Sequence, residues 1–419
     1  MRVLLLGSGG REHALARALA TDPDVTDLHA APGNPGIAAL ARLHPVDITD
    51  AGQVAGLARA TRADLVVIGP EAPLVAGVAD GLRASGIACF GPSRRAAAIE
   101  GSKSFAKHIM QSAGIPTARA HTCTTPAEAA AALDEFGPPY VVKADGLAAG
   151  KGVLVTEDRA AAEAHAQACG PVVIEEFLDG PEVSLFALAD GATAVPLLAA
   201  QDFKRAGDGD LGPNTGGMGA YTPLPWAPPG LTEEVLGTVL QPAVDELRHR
   251  GTPYRGLLYA GLSLTPAGVR VVEFNARFGD PETQVILDRL ATPLAGLLAA
   301  AASGSLAGLD RPRWAPGAAV TVVIAAEGYP GSPARGDQLT GLDDAQRTPG
   351  AYVLQAGTQS DGAGHLVSAG GRVVNVVGSG PDLAAARTAA YQAAGKIQLR
   401  GGWFRTDIAE RAAAQAARG

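Results

Sequence analysis

The sequence predicts a multidomain protein of α/β and α+β class, with an N-terminal parallel-sheet domain, a central module of two α+β units and a C-terminal α+β domain. Two observations carry this reading. The chain has 419 residues, of which 47% are hydrophobic, more apolar material than one core absorbs, because single cores stop growing at about 250–300 residues. Short apolar runs that end in glycine turns recur near the N-terminus, and segments of helical and strand period alternate after them.

Val3 to Leu6 reads as a buried strand running into Gly7-Ser8-Gly9-Gly10-Arg11-Glu12-His13, and Ala14 to Ala20 as the helix that follows. Leu65 to Ile68 before Gly69-Pro70-Glu71, and Ala88 to Phe90 before Gly91-Pro92-Ser93, repeat the strand and glycine turn. Such repetition implies a parallel sheet, drawn at 1–101, with ligand loops at the strands' carboxyl ends. Ser102 to Gln111 reads as a helix carrying Lys103, stopped by Gly114-Ile115-Pro116. A lid-sized unit at 121–189 then comprises helix Pro126 to Phe136, strand Tyr140 to Lys143, a glycine loop, strand Val153 to Thr156, helix Arg159 to Ala168, and strands Val172 to Phe177 and Val183 to Leu188.

The central unit takes 102–120 and 190–316. In it, Gln201 to Tyr221 is polar, glycine-rich and aperiodic, which inside a compact chain suggests a functional loop. Helix Glu233 to Arg250 and strands Leu257 to Leu264 and Val269 to Phe274 follow. The terminal domain, 317–419, is read from strands Val320 to Ile324, Tyr352 to Ala356, His365 to Ser368 and Val373 to Val377 before helix Leu383 to Ala394.

A formal charge of -8 argues against sequence-independent nucleic-acid binding, which needs a basic footprint. No apolar run reaches the roughly 20 residues of a membrane span, so no membrane role is expected. Cys89, Cys123 and Cys169 form no CxxC pair, and the histidines show no metal-ligand spacing. A cytoplasmic monomer without structural zinc is the expectation. Four of only six lysines, Lys103, Lys143, Lys151 and Lys204, lie in or beside glycine-rich motifs. Either chance places them there, or these positions need a compact ammonium rather than a planar fork.

Val142-Lys143-Ala144-Asp145-Gly146-Leu147-Ala148-Ala149-Gly150-Lys151-Gly152-Val153 puts a lysine at a strand end, then a glycine loop whose amides can wrap phosphates. It is no P-loop, because Gly146 and Gly150 enclose three residues and Gly152, not Ser or Thr, follows Lys151. In Val271-Val272-Glu273-Phe274-Asn275, strand alternation points Glu273 and Asn275 to one face. Two hard oxygen donors so placed suit magnesium held jointly with nucleotide phosphates.

Gly101-Ser102-Lys103, Lys143 with its loop, Glu175-Glu176-Phe177-Leu178 and Glu273-Phe274-Asn275 together resemble the ATP-grasp superfamily, in which two α+β units clamp ATP. The runs Gly7 to Ala14, Gly69-Pro70-Glu71-Ala72-Pro73-Leu74, Gly212 to Tyr221 and Arg277-Phe278-Gly279-Asp280-Pro281-Glu282-Thr283-Gln284 resemble one family within it, the phosphoribosylamine-glycine ligases. Beyond Ala318 the likeness is looser, in Gly328-Tyr329-Pro330-Gly331, Ala356-Gly357-Thr358 and Gly370-Gly371-Arg372-Val373, and implies no roles.

The resemblance implies ligation of glycine to 5-phosphoribosylamine with ATP and Mg2+ or Mn2+, through glycyl phosphate. It implies that Lys103 and Lys143 contact ATP phosphates, that Gly150, Lys151 and Gly152 close over them, and that Glu175, Glu176, Phe177 and Leu178 hold adenine largely through backbone groups. Glu182 takes the ribose hydroxyls, and Glu273 and Asn275 hold the metal. Arg277 is spaced to steady the substrate carboxylate or the transferring phosphoryl group. Gly9, Gly10, Arg11, Glu12, Asn34, Gly69, Pro70 and Glu71 hold phosphoribosylamine, with the helix start after Gly10 suiting its phosphate. Asp202, Lys204 and Asp210 are expected near the glycine and phosphate pocket.

Three other readings compete. Another ATP-grasp ligase differs only in its carboxylate and amine. A nicotinamide-dependent dehydrogenase fails where the dinucleotide fingerprint needs a third small residue, since Glu12 stands there. A nucleotide sensor has no need of both phosphate lysines and a metal pair.

Overall fold

The computed structural model describes residues 1–146 and 152–416. Five parallel strands lie in the order Arg42–Leu43, Asp27–Pro32, Arg2–Gly7, Leu65–Ile68 and Cys89–Phe90. Val3 to Leu6 and Leu65 to Ile68 are buried throughout, as unalternating apolar runs are when both sheet faces are covered. Strand order reverses between Arg2–Gly7 and Leu65–Ile68, which opens a crevice at their carboxyl ends, over Gly7 to Gly9 and Gly69 to Glu71. A side chain on Gly7 or Gly69 would collide with Glu12, whose carboxylate fills that crevice floor.

Helix Gly10–Ala20 leaves this turn directly. Asn375, from the far end of the chain and only 1% exposed, packs so closely on Gly10 that a Cβ there would overlap its Nδ2. Gly10→Ala is therefore expected to destabilise the fold by about 1–3 kcal/mol, the usual cost of overpacking. A lowered calorimetric midpoint with unchanged secondary structure checks it.

The largest sheet is antiparallel and eight-stranded, ordered Gly268–Asn275, Arg255–Thr265, Glu182–Asp190, Ala194–Asp202, Gly219–Thr222, Ala318–Ala325, Arg372–Gly380 and Ala351–Gln355. Pairing of Tyr221 with Val320 carries it unbroken from central into C-terminal residues. The terminal α+β segment therefore shares the central sheet. Helix Leu383–Ala394, as read from the sequence, covers the strand Arg372–Gly380.

Four strands, ordered Ala120–Cys123, Val172–Glu175, Tyr140–Ala144 and Val153–Thr156, form a second sheet. Helices Pro126–Phe136 and Arg159–Cys169 pack on it over a small core that includes Leu133, Val142, Ala162 and Ile174. The strand read at Val183 to Leu188 as part of this unit lies instead in the large sheet, between Ala194–Asp202 and Arg255–Thr265. Every residue from Val183 to Asp190 is buried, as befits a strand paired on both sides within the large sheet and covered on both faces.

Gln201 to Tyr221, read as an irregular loop, is mostly paired. Arg205–Gly207 pairs with Leu211–Asn214 in a hairpin, and Gly219–Thr222 re-enters the large sheet. Gly209 and Gly212 turn the hairpin with φ of +68° and +82°, values that glycine holds without strain. Strands this short, rich in glycine, leave no period-2 signal to read. Among the described residues no helix is long and apolar enough to cross a membrane.

Candidate active site

The register of the large sheet builds the floor of the site. Ser184 lies opposite Gly261, Gly261 opposite Glu273, and Tyr259 opposite Asn275, so Glu182, Ser184, Tyr259, Glu273 and Asn275 share one face. Burial alone would raise the Glu273 carboxyl. The charges of Lys204, Lys143, Lys103 and Arg277 outweigh it and hold Glu273 below the ordinary glutamate value. Residues far apart in the chain thus gather four cations around one carboxylate that faces away from the sheet.

Lys143 ends the strand Tyr140–Ala144 and is 4% exposed. Its Nζ meets Glu175 Oε2 at 2.7 Å and donates to Val272 O at 3.0 Å. The other oxygen of Glu175 takes Lys107 Nζ at 3.0 Å. Lys103 opens the helix Lys103–Ala113, capped by Ser102 Oγ accepting from Phe105 N. Asp145 joins the two lysine elements, accepting from Ser102 Oγ at 3.1 Å, Ser104 N at 3.2 Å and Ser104 Oγ at 2.5 Å. Gly150 and Lys151 lie outside the described residues, while Gly152 O accepts from Ala144 N at 2.7 Å.

Beyond Glu175 the chain leaves its sheet. Glu176 accepts from Arg119 N at 2.9 Å and Arg119 Nε at 2.8 Å, Phe177 is 45% exposed and Leu178 half-buried. Lys204 Nζ reaches across to Glu182. Asp202 stands beside that pair, and burial, opposed by Lys204 and aided by Glu282 and Glu182, pushes its carboxyl up to about 7. Glu282 Oε1 accepts from Tyr259 OH at 2.7 Å and Ser184 Oγ at 3.1 Å. This polar cluster borders Glu273.

The N-terminal crevice meets the same region through Arg277. Its guanidinium lies 3.4 Å from Glu71 and 3.2 Å from Glu100, and donates to Asn275 Oδ1 at 3.4 Å. Burial pushes the Glu71 carboxyl up, but Arg277, Arg11 and a backbone hydrogen bond together outweigh it and hold Glu71 below the ordinary glutamate value. Arg11 contacts Glu12 Oε1 at 2.5 Å and Phe278 O at 3.0 Å, and Glu12 Oε2 accepts from Gly9 N at 2.7 Å. Pro70 caps the helix that Glu71 starts, and Gly69 N donates to Leu6 O.

Two expected residues have other partners. Asn34 Oδ1 accepts from Ile37 N, and its Nδ2 donates to Ser8 O at 2.8 Å and Gln355 O at 2.9 Å, so its amide binds the turn to the C-terminal strand. Asp210 sits on the hairpin turn with 64% of its side chain exposed and pairs with Arg405 at 2.9 Å. Its carboxylate serves the C-terminal segment rather than the sheet face.

Sequence reasoning passed over Lys107, although it lies four residues after Lys103 and so on the same helix face. Glu282 lies in the 277–284 motif, where the sequence gives it no role. Arg372 stood in another, and its guanidinium donates to Gly216 O at 2.5 Å and Asp280 O at 2.6 Å and meets Asp280 Oδ2 at 3.0 Å. It thereby holds the strand after the hairpin against the 277–284 segment.

A two-sheet clamp with lysines from both units over a Glu-x-Asn strand defines an ATP-dependent ligase of the ATP-grasp class. Family profiles of phosphoribosylglycinamide synthetase match the N domain at residues 1–100, the ATP-grasp (A) domain at 101–283 and the C domain at 319–411. The chain belongs to the phosphoribosylglycinamide synthetase family. It is 64% identical over 415 residues to the phosphoribosylamine-glycine ligase of Streptomyces coelicolor, covering 99% of this chain and 100% of that one. The Mycobacterium tuberculosis protein of the same name is 55% identical over 422 residues, 99% of each chain. The crystal structure of the Thermotoga maritima phosphoribosylamine-glycine ligase superposes with a TM-score of 0.83 at 35% identity, covering 97% of this chain and 100% of that one. A biotin carboxylase domain from Hydrogenobacter thermophilus shares the fold, at TM-score 0.73 and 17% identity, over 96% of this chain and 91% of its own.

Proposed function

We infer that this chain joins glycine to 5-phosphoribosylamine at the expense of ATP, giving glycinamide ribonucleotide, ADP and phosphate, a step of purine biosynthesis. The meeting of Lys143 with the carbonyl of Val272, next to Glu273, and of Arg277 with Asn275 on the same strand, between the clamp and the N-terminal crevice, carries the reading. A triphosphate and two further substrates need such a meeting point.

Glu273 and Asn275 offer two oxygen donors on one face, and among the described residues no group of three His, Cys, Asp or Glu side chains could hold a metal. That set fits Mg2+, or Mn2+, which takes its remaining ligands from phosphates and water. Held by Glu273 and Asn275, such an ion would supply neutralisation of phosphate charge. Lys103 and Lys143 take phosphate oxygens, Glu175 to Leu178 hold adenine largely through backbone groups and Glu182 meets the ribose hydroxyls.

Glycine's carboxylate oxygen attacks the γ phosphorus and the bond to ADP breaks, leaving glycyl phosphate. The sugar amine then attacks its acyl carbon, phosphate departs and the amine loses a proton. No strong protein nucleophile is needed, so positioning and charge neutralisation supply the rate. Arg277, anchored on Glu71 and Glu100, steadies the carboxylate or the phosphoryl group in transit. Gly9 to Glu12, Asn34 and Gly69 to Glu71 shape the phosphoribosylamine crevice.

A coupled assay tests this. ADP release should require glycine and freshly made phosphoribosylamine together, and release that needs a different amine or carboxylate instead overturns the substrate assignment. A second expectation concerns pH. Asp202 titrates at about 7, neutral below and ionised above, and the anion is the form that attracts glycine's ammonium. The kcat/KM for glycine should therefore rise with pH through about 7 and flatten above it. Asp202→Asn should abolish that acid limb, measured as a pH profile of initial rates.

A further inference from the structure

We propose that Arg405, in the C-terminal segment, is a positioning residue that holds Lys204 at the active site by gripping the chain on both sides of it. The proposal rests on Lys204 working in that site. Lys204 directly precedes the Arg205–Gly207 arm of a hairpin whose turn stands in solvent, where Leu211 is 69% exposed. Arg405 is 1% exposed and ranks among the largest fully buried side chains.

Its guanidinium lies 4.9 Å over the ring of Phe203, the residue before Lys204. Its Nη1 donates at 3.0 Å to the carbonyl of Arg205, the residue after, and at 2.9 Å to Asp210 across the hairpin. The remaining donors hold Asp407, through Nε at 2.8 Å and Nη2 at 2.6 Å. Asp407 Oδ2 in turn accepts from Gly209 N at 2.8 Å, and Asp208 accepts from Thr406 N at 2.8 Å and Thr406 Oγ1 at 2.5 Å. The segment itself is fixed to helix Leu383–Ala394, where Tyr391 OH donates to Arg405 O at 2.8 Å and Arg387 to Thr406 O at 2.6 Å.

Burying a guanidinium is costly unless its donors are well paired; here Nε and Nη2 are satisfied by Asp407 within the same segment, which leaves Nη1 for the hairpin next to Lys204. On the inner side Thr215 N and Oγ1 both donate to Lys204 O, at 2.7 and 2.9 Å. With its carbonyl and both neighbours held, the Lys204 side chain projects one way, toward Glu182. A planar, five-donor side chain can bind a ring, a carbonyl and two carboxylates at once, which lysine cannot.

A double-mutant cycle tests the coupling on the full chain, with ADP release read against glycine, ATP and phosphoribosylamine in turn. Lys204→Ala should lower kcat/KM for glycine by about 100-fold. Arg405→Lys and Asp210→Asn, gentler on folding than Arg405→Ala, should lower it by roughly 3- to 10-fold, with KM for phosphoribosylamine unchanged. In the Lys204→Ala background each should cost less than about 2-fold more, because nothing is left to position. Fully additive losses, or an equal rise in KM for all three substrates, overturn the proposal. Normal rates in Lys204→Ala alone overturn the reading of Lys204 on which it rests, and melting midpoints identify any variant whose loss is unfolding.

Discussion

Glu273→Ala is expected to lower turnover by about 100-fold or more at saturating ATP and metal, the scale on which a preorganised charge is lost from a buried site. The reason lies in the imbalance left behind. Glu273 lies within the field of Lys204, Lys143, Lys103 and Arg277. Its removal takes one carboxylate from among those cations, although Glu182, Glu175, Glu71 and Glu100 still pair with three of them, and removes the strand's one carboxylate for a metal. Glu273→Gln separates the two effects. It keeps an oxygen donor and the side chain's shape but loses the charge, so it should bind ATP without metal nearly as the parent does while turning over at a rate close to that of Glu273→Ala. ADP release with excess Mg2+, beside nucleotide binding with and without the ion, gives both readings. Near-parental turnover in either variant removes Glu273 from the metal site.

The parts of this site legible in the sequence are those whose geometry is local. Alternation at Glu273 and Asn275 places both on one face whatever the rest of the fold does, and the strand at Tyr140–Ala144 delivers Lys143 to its end in the same way. Helix Pro126–Phe136 has the bounds read for it in the sequence, and the structure adds a capping box of Thr125 and Glu128 at its start. What escaped depends on long-range packing. Val183 to Leu188 is apolar in any sheet, and no periodicity says which sheet will take it. Arg372 and Arg405 act on partners 92 to 200 residues away, across a distance no spacing rule covers. Glu175 shows the limit differently. Its backbone position was read from a motif, yet its side chain, 3% exposed, bridges two lysines, a role visible only once Lys107 and Lys143 are brought to one place.

That bridge governs the second large effect. Lys143→Ala should lower turnover by about 100-fold or more with little loss of fold stability, and the structure supplies the reason for the split. Removing one partner of a buried pair usually strands the other charge. Glu175 is not stranded, because Lys107 remains at 3.0 Å from its second oxygen and is itself held by Thr117 Oγ1 and Ala118 O, each at 2.9 Å. Burial depresses the Lys107 ammonium below the ordinary lysine value, Glu175 opposes that and Lys143 adds to it, so loss of Lys143 strengthens the surviving pair. Lys107 cannot replace Lys143 in catalysis, since its three donors are already engaged by Glu175, Thr117 and Ala118. Lys143→Arg should rescue little, because a planar fork does not fit a slot where the residue is 4% exposed and its ammonium meets a single backbone carbonyl beside Glu175. Calorimetry and ADP release on the same preparations decide the matter. A cooperative melt near the parental midpoint together with the slow rate supports a phosphate role for Lys143, whereas a rate that recovers in Lys143→Arg assigns it to charge balance with Glu175 alone.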